Sequence, residues 1–157
     1  PTVARGWQCA LTVPRELSMR DGKLCQQPAH EIERMRGDCV RATGGETVEE
    51  PGRLFDLVVS CEGAKMVELE IRKGVFVCYA DGMLTLDMGD EGYGRDQRSI
   101  ELSELRDLRV LSDTTMVEIF AKGGEAALTS RTYSPAVPAM ELHAEGAASM
   151  NFYRLVH

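Results

Sequence analysis

The chain has 157 residues, and its 18 Lys and Arg against 25 Asp and Glu give a formal net charge of −7 at pH 7. Hydrophobic residues make up 43% of the sequence, which is enough for a core and excludes a globally disordered chain. The acidic balance, with no cluster of Lys and Arg, predicts that neither nucleic acid nor an anionic membrane is a partner. No apolar run approaches the roughly 20 residues that a membrane-spanning helix needs.

The cysteines predict a reducing environment. There are five of them, an odd number, and no two are in Cys-x-x-Cys spacing: Cys9, Cys25, Cys39, Cys61 and Cys78. Free thiols in the cytoplasm explain this pattern better than a disulfide framework does. The sequence opens at Pro1, with neither an initiator Met nor a basic and apolar leader. We therefore expect a cytoplasmic protein and a chain that is a piece of something longer.

The predicted elements begin with an extended, partly buried run at residues 7–13, followed by a short helix at residues 28–37. The helix prediction rests on Pro28 in the first turn and on Ile32 and Met35, which are three positions apart. A helix of about two turns persists only when it packs on something else.

Beyond residue 50, most apolar runs alternate with polar residues, as in a strand with one buried face. In one such run Val67, Leu69 and Ile71 point inward, while Glu68 and Glu70 point outward. The predicted strands are residues 53–61, 66–71, 75–80, 83–88, 99–102, 107–112, 115–121, 125–131, 137–143 and 148–156.

Turn residues separate these strands. Lys73-Gly74, Asp81-Gly82 and Gly123-Gly124 lie between apolar runs, and Gly supplies the positive φ that tight hairpins need. Residues 87–98 predict a longer solvated loop. Closely spaced strands with such turns favour an all-β antiparallel sandwich or barrel. The predicted core residues are Phe55, Leu57, Val59, Val67, Leu69, Ile71, Val75, Val77, Leu84, Leu86, Val117 and Ile119.

Residues suited to catalysis are scarce. Only His30, His143 and His157 offer an imidazole base, and no Gly-x-Ser-x-Gly motif accompanies them. The sequence also lacks a His-x-x-x-His pair and a Cys/His cluster with zinc spacing. We predict no catalytic, no cofactor-binding and no metal-binding residue in this chain.

Carboxylates and tyrosines leave two alternatives open. Asp113 and Glu118 frame a hairpin, but acids on the wet side of a sheet usually keep that face solvated rather than form an acid–nucleophile pair. Among the aromatic residues, Tyr93 and Tyr133 lie near loops, where exposed rings are able to stack against a sugar. A sugar-binding face is therefore a weaker alternative.

Two segments resemble motifs of a known enzyme family. The first, from Arg5 to Leu17, reads Arg-Gly-Trp-Gln-Cys-Ala-Leu-Thr-Val-Pro-Arg-Glu-Leu and is followed by Gly-Lys-Leu-Cys-Gln-Gln-Pro ending at Pro28. The second, from Asp113 to Phe120, reads Asp-Thr-Thr-Met-Val-Glu-Ile-Phe. In sequence, order and spacing they resemble stretches of glycoside hydrolase family 32, the family of the invertases and sucrose-6-phosphate hydrolases (β-fructofuranosidases).

The resemblance implies the C-terminal part of such an enzyme. Members combine an N-terminal five-bladed β-propeller, which carries the catalysis, with a C-terminal two-sheet β-sandwich of jelly-roll type. Residues 1–27 would be the last strand region of the propeller, residues 28–37 a linker helix and residues 38–157 the sandwich. The family's catalytic motifs, Asn-Asp-Pro, Arg-Asp-Pro and Glu-Cys, do not occur in the sequence, so no catalytic residue carries over.

The expected function is therefore a non-catalytic scaffold, which stabilises the propeller of a β-fructosidase that hydrolyses sucrose or sucrose 6-phosphate with retention. The expected partners are the propeller itself, a second copy in a homodimer, and weakly bound sugar. A lectin-like carbohydrate-binding module is the alternative, and an unrelated interaction domain is a third reading. Without the propeller, residues 1–27 would fold back on the sandwich, pair with a second copy or fray.

Overall fold

A computed structural model describes residues 4, 6 and 9–156. None of the helices in this described part has the length and apolar character needed to cross a bilayer. The 3-10 helices span His30–Met35, Gly89–Gly92 and Lys122–Gly124. The strands are β1 (Arg15–Arg20), β2 (Lys23–Pro28), β3 (Arg36–Thr43), β4 (Thr47–Glu49), β5 (Phe55–Ser60), β6 (Met66–Arg72), β7 (Val75–Ala80), β8 (Met83–Asp87), β9 (Gln97–Glu101), β10 (Asp107–Ser112), β11 (Met116–Ala121), β12 (Ala126–Arg131), β13 (Ala139–Glu141), β14 (His143–Glu145) and β15 (Ser149–Leu155).

Two antiparallel sheets contain most of these strands. The six-stranded sheet has the order β12-β11-β10-β5-β15-β3, and the five-stranded sheet has the order β14-β6-β7-β8-β9. Two further pairs, β1 with β2 and β4 with β13, stand apart from the sheets. Buried side chains from both sheets form one hydrophobic cluster. The predicted all-β sandwich of two antiparallel sheets is thus confirmed.

The core follows the predicted alternation, because successive side chains of a strand point to opposite faces. Phe55, Leu57 and Val59 of β5 are fully buried, and the ring of Phe55 lies 5.3 Å from that of Phe152 in β15. Every predicted core residue is buried.

Arg72, at the end of β6, is a buried cation that joins the two sheets. A register shift between Glu70 and Arg72 breaks the alternation and turns the Arg72 side chain inward. Its guanidinium donates to Ser112 Oγ (2.7 Å) and to the carbonyl oxygens of Ser134 (3.2 Å), Arg53 (3.1 Å) and Asp113. Burial lowers the pKa of Arg72 to about 10, so the group stays charged at neutral pH and holds this end of the sandwich together.

The N-terminal region differs from the prediction. Residues 9–13 are not in a strand, and residues 7 and 8 lie outside the described residues. The helix predicted over residues 28–37 is a 3-10 helix limited to His30–Met35, because Pro28 ends β2 and Arg36 begins β3. Strands β1 to β4 were not predicted, since β1 exposes nearly every residue and β3 is mostly exposed and polar. Periodicity carries no signal in such strands.

We expect Phe152→Ala to lower the free energy of unfolding by about 3–5 kcal/mol, since it removes a ring from a packed core and leaves a cavity. Urea denaturation measures the change. Val40→Ala on β3 is the control, because Val40 is 45% exposed and its truncation should change stability by less than about 0.5 kcal/mol. Equal effects of the two substitutions would contradict this assignment of the core.

Candidate functional site

The outer face of β11 is covered by the N-terminal segment, which we define as residues 9–28. All six residues of β11 are buried, although only one side of the strand faces the sandwich core. On the other side lie Met116, Glu118 and Phe120. The guanidinium of Arg15 lies 5.1 Å from the centre of the Phe120 ring, a cation–π contact. The segment therefore folds back on the sandwich, one of the three arrangements expected from the sequence.

Glu118 is the anchor of this contact. Its side chain is 2% exposed, and its carboxylate accepts hydrogen bonds from the Val13 backbone N–H (2.7 Å) and from Arg15 (2.6 Å). Arg15 also donates to Thr129 Oγ1 (2.8 Å) and Gln26 Oε1 (2.9 Å). A buried carboxylate without such partners would be strongly unfavourable, so the segment and β11 depend on each other.

The turn after β11 lets the hairpin of β1 and β2 approach closely. Gly124 has φ +90°, and a Cβ added there would clash with the backbone carbonyl oxygen of Gln26 in β2. The Arg20 side chain donates to the Gly123 carbonyl, and Lys23 pairs with Glu125 at 2.8 Å. The glycines predicted as a hairpin turn thus also serve the contact with the N-terminal segment.

A second buried carboxylate fixes the 3-10 helix and β3. Asp56 of β5 is fully buried and accepts hydrogen bonds from Arg36 (2.7 Å) and Arg109 (2.7 Å). Glu33 of the 3-10 helix lies 3.5 Å from both guanidinium groups, and Arg36 stacks on the ring of Tyr153 at 4.4 Å. The polar network holds the chain where it passes from the hairpin to the sandwich.

His30 links β1 to the 3-10 helix at the surface. Its Nδ1 lies 2.8 Å from Glu16 Oε1 and 3.5 Å from Glu31 Oε2. The hydrogen bond with Glu16 raises the pKa of His30, and the same bond lowers the pKa of Glu16. These three side chains have ligand atoms within 4.8 Å of one another, but all three are exposed and the ion pair accounts for their spacing. The absence of a metal site stays a prediction.

An apolar groove of about 410 Å³ opens between the N-terminal segment, the 3-10 helix and the six-stranded sheet. Its apolar lining comes from Leu11, Val13, Ile32, Met35, Leu54, Leu111, Met116 and Leu155. Leu11 is 94% exposed at its rim. The groove carries two carboxylates, those of Asp113 and Glu118, and Glu118 is already committed to Arg15 and Val13.

The hairpin exposes a second apolar surface. Leu17 and Met19 lie on one face of β1, and Met19 pairs with Leu24 of β2. They are 64%, 65% and 52% exposed, respectively, among the largest exposures of apolar side chains in the described part of the chain. We call Leu17, Met19 and Leu24 the hairpin patch. Neighbouring exposed apolar side chains of this kind are typical of a surface that another protein unit covers.

The other candidates from the sequence are separated. His143 is exposed near Glu141, and His157 lies outside the described residues. Glu70 accepts a hydrogen bond from the Gly74 N–H, which stabilises a hairpin. The five cysteines are free thiols. Burial raises the pKa of Cys61 to about 12 and that of Cys78 to about 11, so neither is a reactive thiolate at neutral pH.

Tyr93 and Tyr133, which sequence reasoning only placed near loops, are brought together. Their ring centres lie 5.8 Å apart in a T-shaped arrangement. By contrast, the roles of Glu118 and Asp56 were missed. The available signal was a carboxylate inside a run that is otherwise apolar, Val117-Glu118-Ile119-Phe120 and Phe55-Asp56-Leu57. Such a residue is buried and needs a cationic partner.

Comparison with known proteins identifies the family. Residues 78–155 match the model described as "Glycosyl hydrolases family 32 C terminal". The chain carries the C-terminal domain of glycoside hydrolase family 32. It is 34% identical over 154 residues to "Raffinose invertase" of Escherichia coli and 31% identical over 145 residues to "Sucrose-6-phosphate hydrolase" of Salmonella typhimurium. The recognition made from the sequence is thereby confirmed.

The relatives of family 32 are longer than this chain. Each alignment covers 87% of this chain but 32% and 28% of the two relatives, so the chain spans about a third of their length. Among solved structures, the fold is similar to sucrose-6-phosphate hydrolase from Lactobacillus gasseri, with a TM-score of 0.76 and 17% identity over 90% of this chain and 33% of that chain. The fold is also similar to that of exo-inulinase from Aspergillus awamori, with a TM-score of 0.75 and 18% identity over 96% of this chain and 36% of that chain. These structures support the fold.

We expect Glu118→Gln to lower the free energy of unfolding by about 3 kcal/mol and to make residues 9–28 cleavable by protease, because Arg15 loses its charged partner. Urea denaturation and limited proteolysis measure the two effects. The matched control is Glu125→Gln, which removes a solvent-screened surface pair with Lys23 and should leave stability nearly unchanged. Identical behaviour of the two variants would rule out Glu118 as the anchor.

The His30 pair gives a pH-dependent prediction. The raised pKa of His30 stabilises the fold below its usual value of 6.5, and this contribution is lost as pH rises through the folded-state pKa. The lowered pKa of Glu16 contributes above its usual value of 4.5 and is lost as pH falls through its folded-state value. The His30–Glu16 pair therefore contributes most to stability between pH 4.5 and pH 6.5.

An NMR titration of the His30 ring measures this pKa. We expect it above 6.5, and we expect Glu16→Gln to lower it more than Glu31→Gln does, because the Glu16 hydrogen bond is the larger cause. A His30 pKa that is unchanged by Glu16→Gln would show that the pair does not form in solution.

Proposed function

We propose that this chain is the non-catalytic C-terminal sandwich of a β-fructosidase and that it stabilises the enzyme's catalytic N-terminal part. Residues 1–27 would be the last strand region of that part, residues 28–37 the linker and residues 38–157 the sandwich. The observation that carries the proposal is the N-terminal segment, which Glu118 anchors to the sandwich while its own apolar side chains stay in solvent. Such a segment is suited to join two units.

The occupant of the exposed apolar surfaces is, in this proposal, the preceding part of the same enzyme. Leu11 at the groove and the hairpin patch all belong to the segment through which the chain would enter the sandwich. Relatives such as the raffinose invertase have about two thirds of their length outside the matched part, which is enough for a further domain. Burial of these side chains contributes at roughly 25 cal/mol per Å² of apolar area.

The chemistry of the whole enzyme would lie outside this chain. We propose hydrolysis of sucrose or sucrose 6-phosphate with retention, by two carboxylates roughly 5–5.5 Å apart in the N-terminal part. The names of the relatives, raffinose invertase and sucrose-6-phosphate hydrolase, support the substrate class. The free thiols support a cytoplasmic location. Homodimerisation is a further proposal, for which β3 at the edge of the six-stranded sheet offers a pairing surface.

A carbohydrate-binding module is the second candidate function. The observation that favours it is the Tyr93–Tyr133 pair, which places an exposed ring beside a second aromatic ring.

A graft tests the stabilising role. We expect the E. coli raffinose invertase to lose thermal stability and sucrose hydrolysis when the matching C-terminal third is removed, and to regain both when this chain is fused in its place. The double substitution Leu17→Asp with Met19→Asp should abolish the recovery, because it puts charges where apolar contacts are needed. Melting temperature and glucose release from sucrose are the measurements.

Two controls make this result specific. Val40→Asp on the remote β3 edge should leave the recovery intact, because Val40 is already partly in solvent. The purified chain alone should release no glucose from sucrose above a heat-killed sample. A truncated invertase as stable as the intact enzyme, or full recovery with the charged hairpin patch, would contradict the stabilising role.

A further inference from the structure

Tyr93 is held in a backbone conformation that does not suit it. Its φ and ψ are 51° and 48°, in the left-handed region, where bulky side chains are uncommon and Gly or Asn is preferred. Gly92 and Gly94 flank it, so the loop carries residues of the suitable kind on either side but not at this position. The Tyr93 side chain is 59% exposed and thus gains little burial in return. Strain of this kind at an exposed aromatic residue points to a function of the ring.

The loop around Tyr93 is well bonded, which keeps the ring in place. The Met88 N–H donates to the Asp96 carbonyl at 2.7 Å, and the Arg95 N–H donates to the Gly92 carbonyl at 3.1 Å. Glu91 on the same loop accepts a hydrogen bond of 3.0 Å from Ser134 Oγ. This last contact ties the loop to the segment that carries Tyr133.

Tyr133 completes a small aromatic platform. Its ring makes an angle of 79° with that of Tyr93, and the Arg131 guanidinium lies 5.2 Å from the centre of the Tyr133 ring. The platform thus combines two aromatic rings with a cation and, on the Tyr93 loop, the carboxylate of Glu91. Rings offer a flat apolar face, whereas guanidinium and carboxylate groups hydrogen-bond to hydroxyls.

We propose that Tyr93 and Tyr133 form a carbohydrate-binding site that takes a pyranose ring of an oligosaccharide. A pyranose presents several C–H groups on one flat face, which stacks on an aromatic ring, and a rim of hydroxyl groups, which polar side chains bind. A furanose ring lacks such an extended flat face, so the site distinguishes the glucosyl or galactosyl part of a sugar from its fructosyl part. This inference rests on the second candidate function, carbohydrate binding, and is independent of the proposed stabilising role.

A sugar fits the platform better than a protein partner does. Besides Tyr93, the loop consists of Gly89, Asp90, Glu91, Gly92, Gly94, Arg95 and Asp96. The core of a protein interface is depleted in such charged residues, whereas a single sugar ring needs only one stacking surface with polar neighbours.

Calorimetric titration of the full 157-residue chain with raffinose tests the site, with methyl β-D-fructofuranoside, whose ring is locked as a furanose, for comparison and sorbitol as an acyclic control. We expect saturable binding of raffinose and at least about tenfold weaker binding of methyl β-D-fructofuranoside and sorbitol. Tyr93→Phe keeps the ring and should bind raffinose as the natural chain does. No saturable binding of raffinose, or equal binding of sorbitol, would overturn the proposal.

Tyr93→Asn separates function from folding. Because Asn tolerates the left-handed conformation, the variant should be at least as stable to urea as the natural chain while binding raffinose at least about tenfold more weakly. Undiminished raffinose binding by Tyr93→Asn would overturn the proposal. A clear loss of stability in this variant would also overturn it, since the ring would then serve the fold. Both outcomes leave the graft experiment on the raffinose invertase unaffected.

Discussion

The carboxylate of Glu118 determines where the N-terminal segment lies. It is a charge in the outer face of β11, and it is removed from water only because Arg15 and the Val13 N–H reach it. Without Arg15 the Glu118 carboxylate would be an unpaired charge in a poorly solvated site, and without Glu118 the same would hold for the Arg15 guanidinium. The β1–β2 hairpin continues from the segment that this contact holds, and the groove beside Leu11 is lined by Glu118 itself. Two other polar centres, at Arg72 and Asp56, act within the sandwich and at its junction with the 3-10 helix His30–Met35.

Different side chains of the N-terminal segment attach it to the sandwich and offer a surface to another unit. Charged hydrogen bonds fix the direction of the segment, and its apolar side chains, Leu11 and the hairpin patch, remain available to another unit. The carboxylates that sequence reasoning considered for catalysis are engaged in structure: Glu118 holds the segment and Asp113 bonds the Thr114 N–H of its own turn. The proposed scaffold role for the C-terminal domain of a family 32 enzyme agrees with this use of the charges.

Strand periodicity predicted the sandwich from residue 53 onward, because one face of each strand is buried there. Strand periodicity did not predict β1 and β3, because most of their residues are exposed and neither strand has one regularly buried face. The resemblance to family 32 predicted the C-terminal domain of that family, and the family model that matches residues 78–155 confirms it. The contact between Tyr93 and Tyr133 was not predictable, since it depends on how two loops about 40 residues apart in sequence meet at one end of the sandwich. Likewise, the partner of Glu118 lies 103 residues away, and no local pattern encodes it.

Hydrogen–deuterium exchange at the Val13 amide measures whether Glu118 holds the N-terminal segment in solution. This amide lies outside any strand, so its protection depends on the Glu118 carboxylate rather than on a sheet. We predict slow exchange of the Val13 amide, at a rate similar to that of amides in the β1–β2 hairpin. Exchange of Val13 at the rate of an unfolded peptide, while β11 stays protected, would show that Glu118 does not anchor the segment.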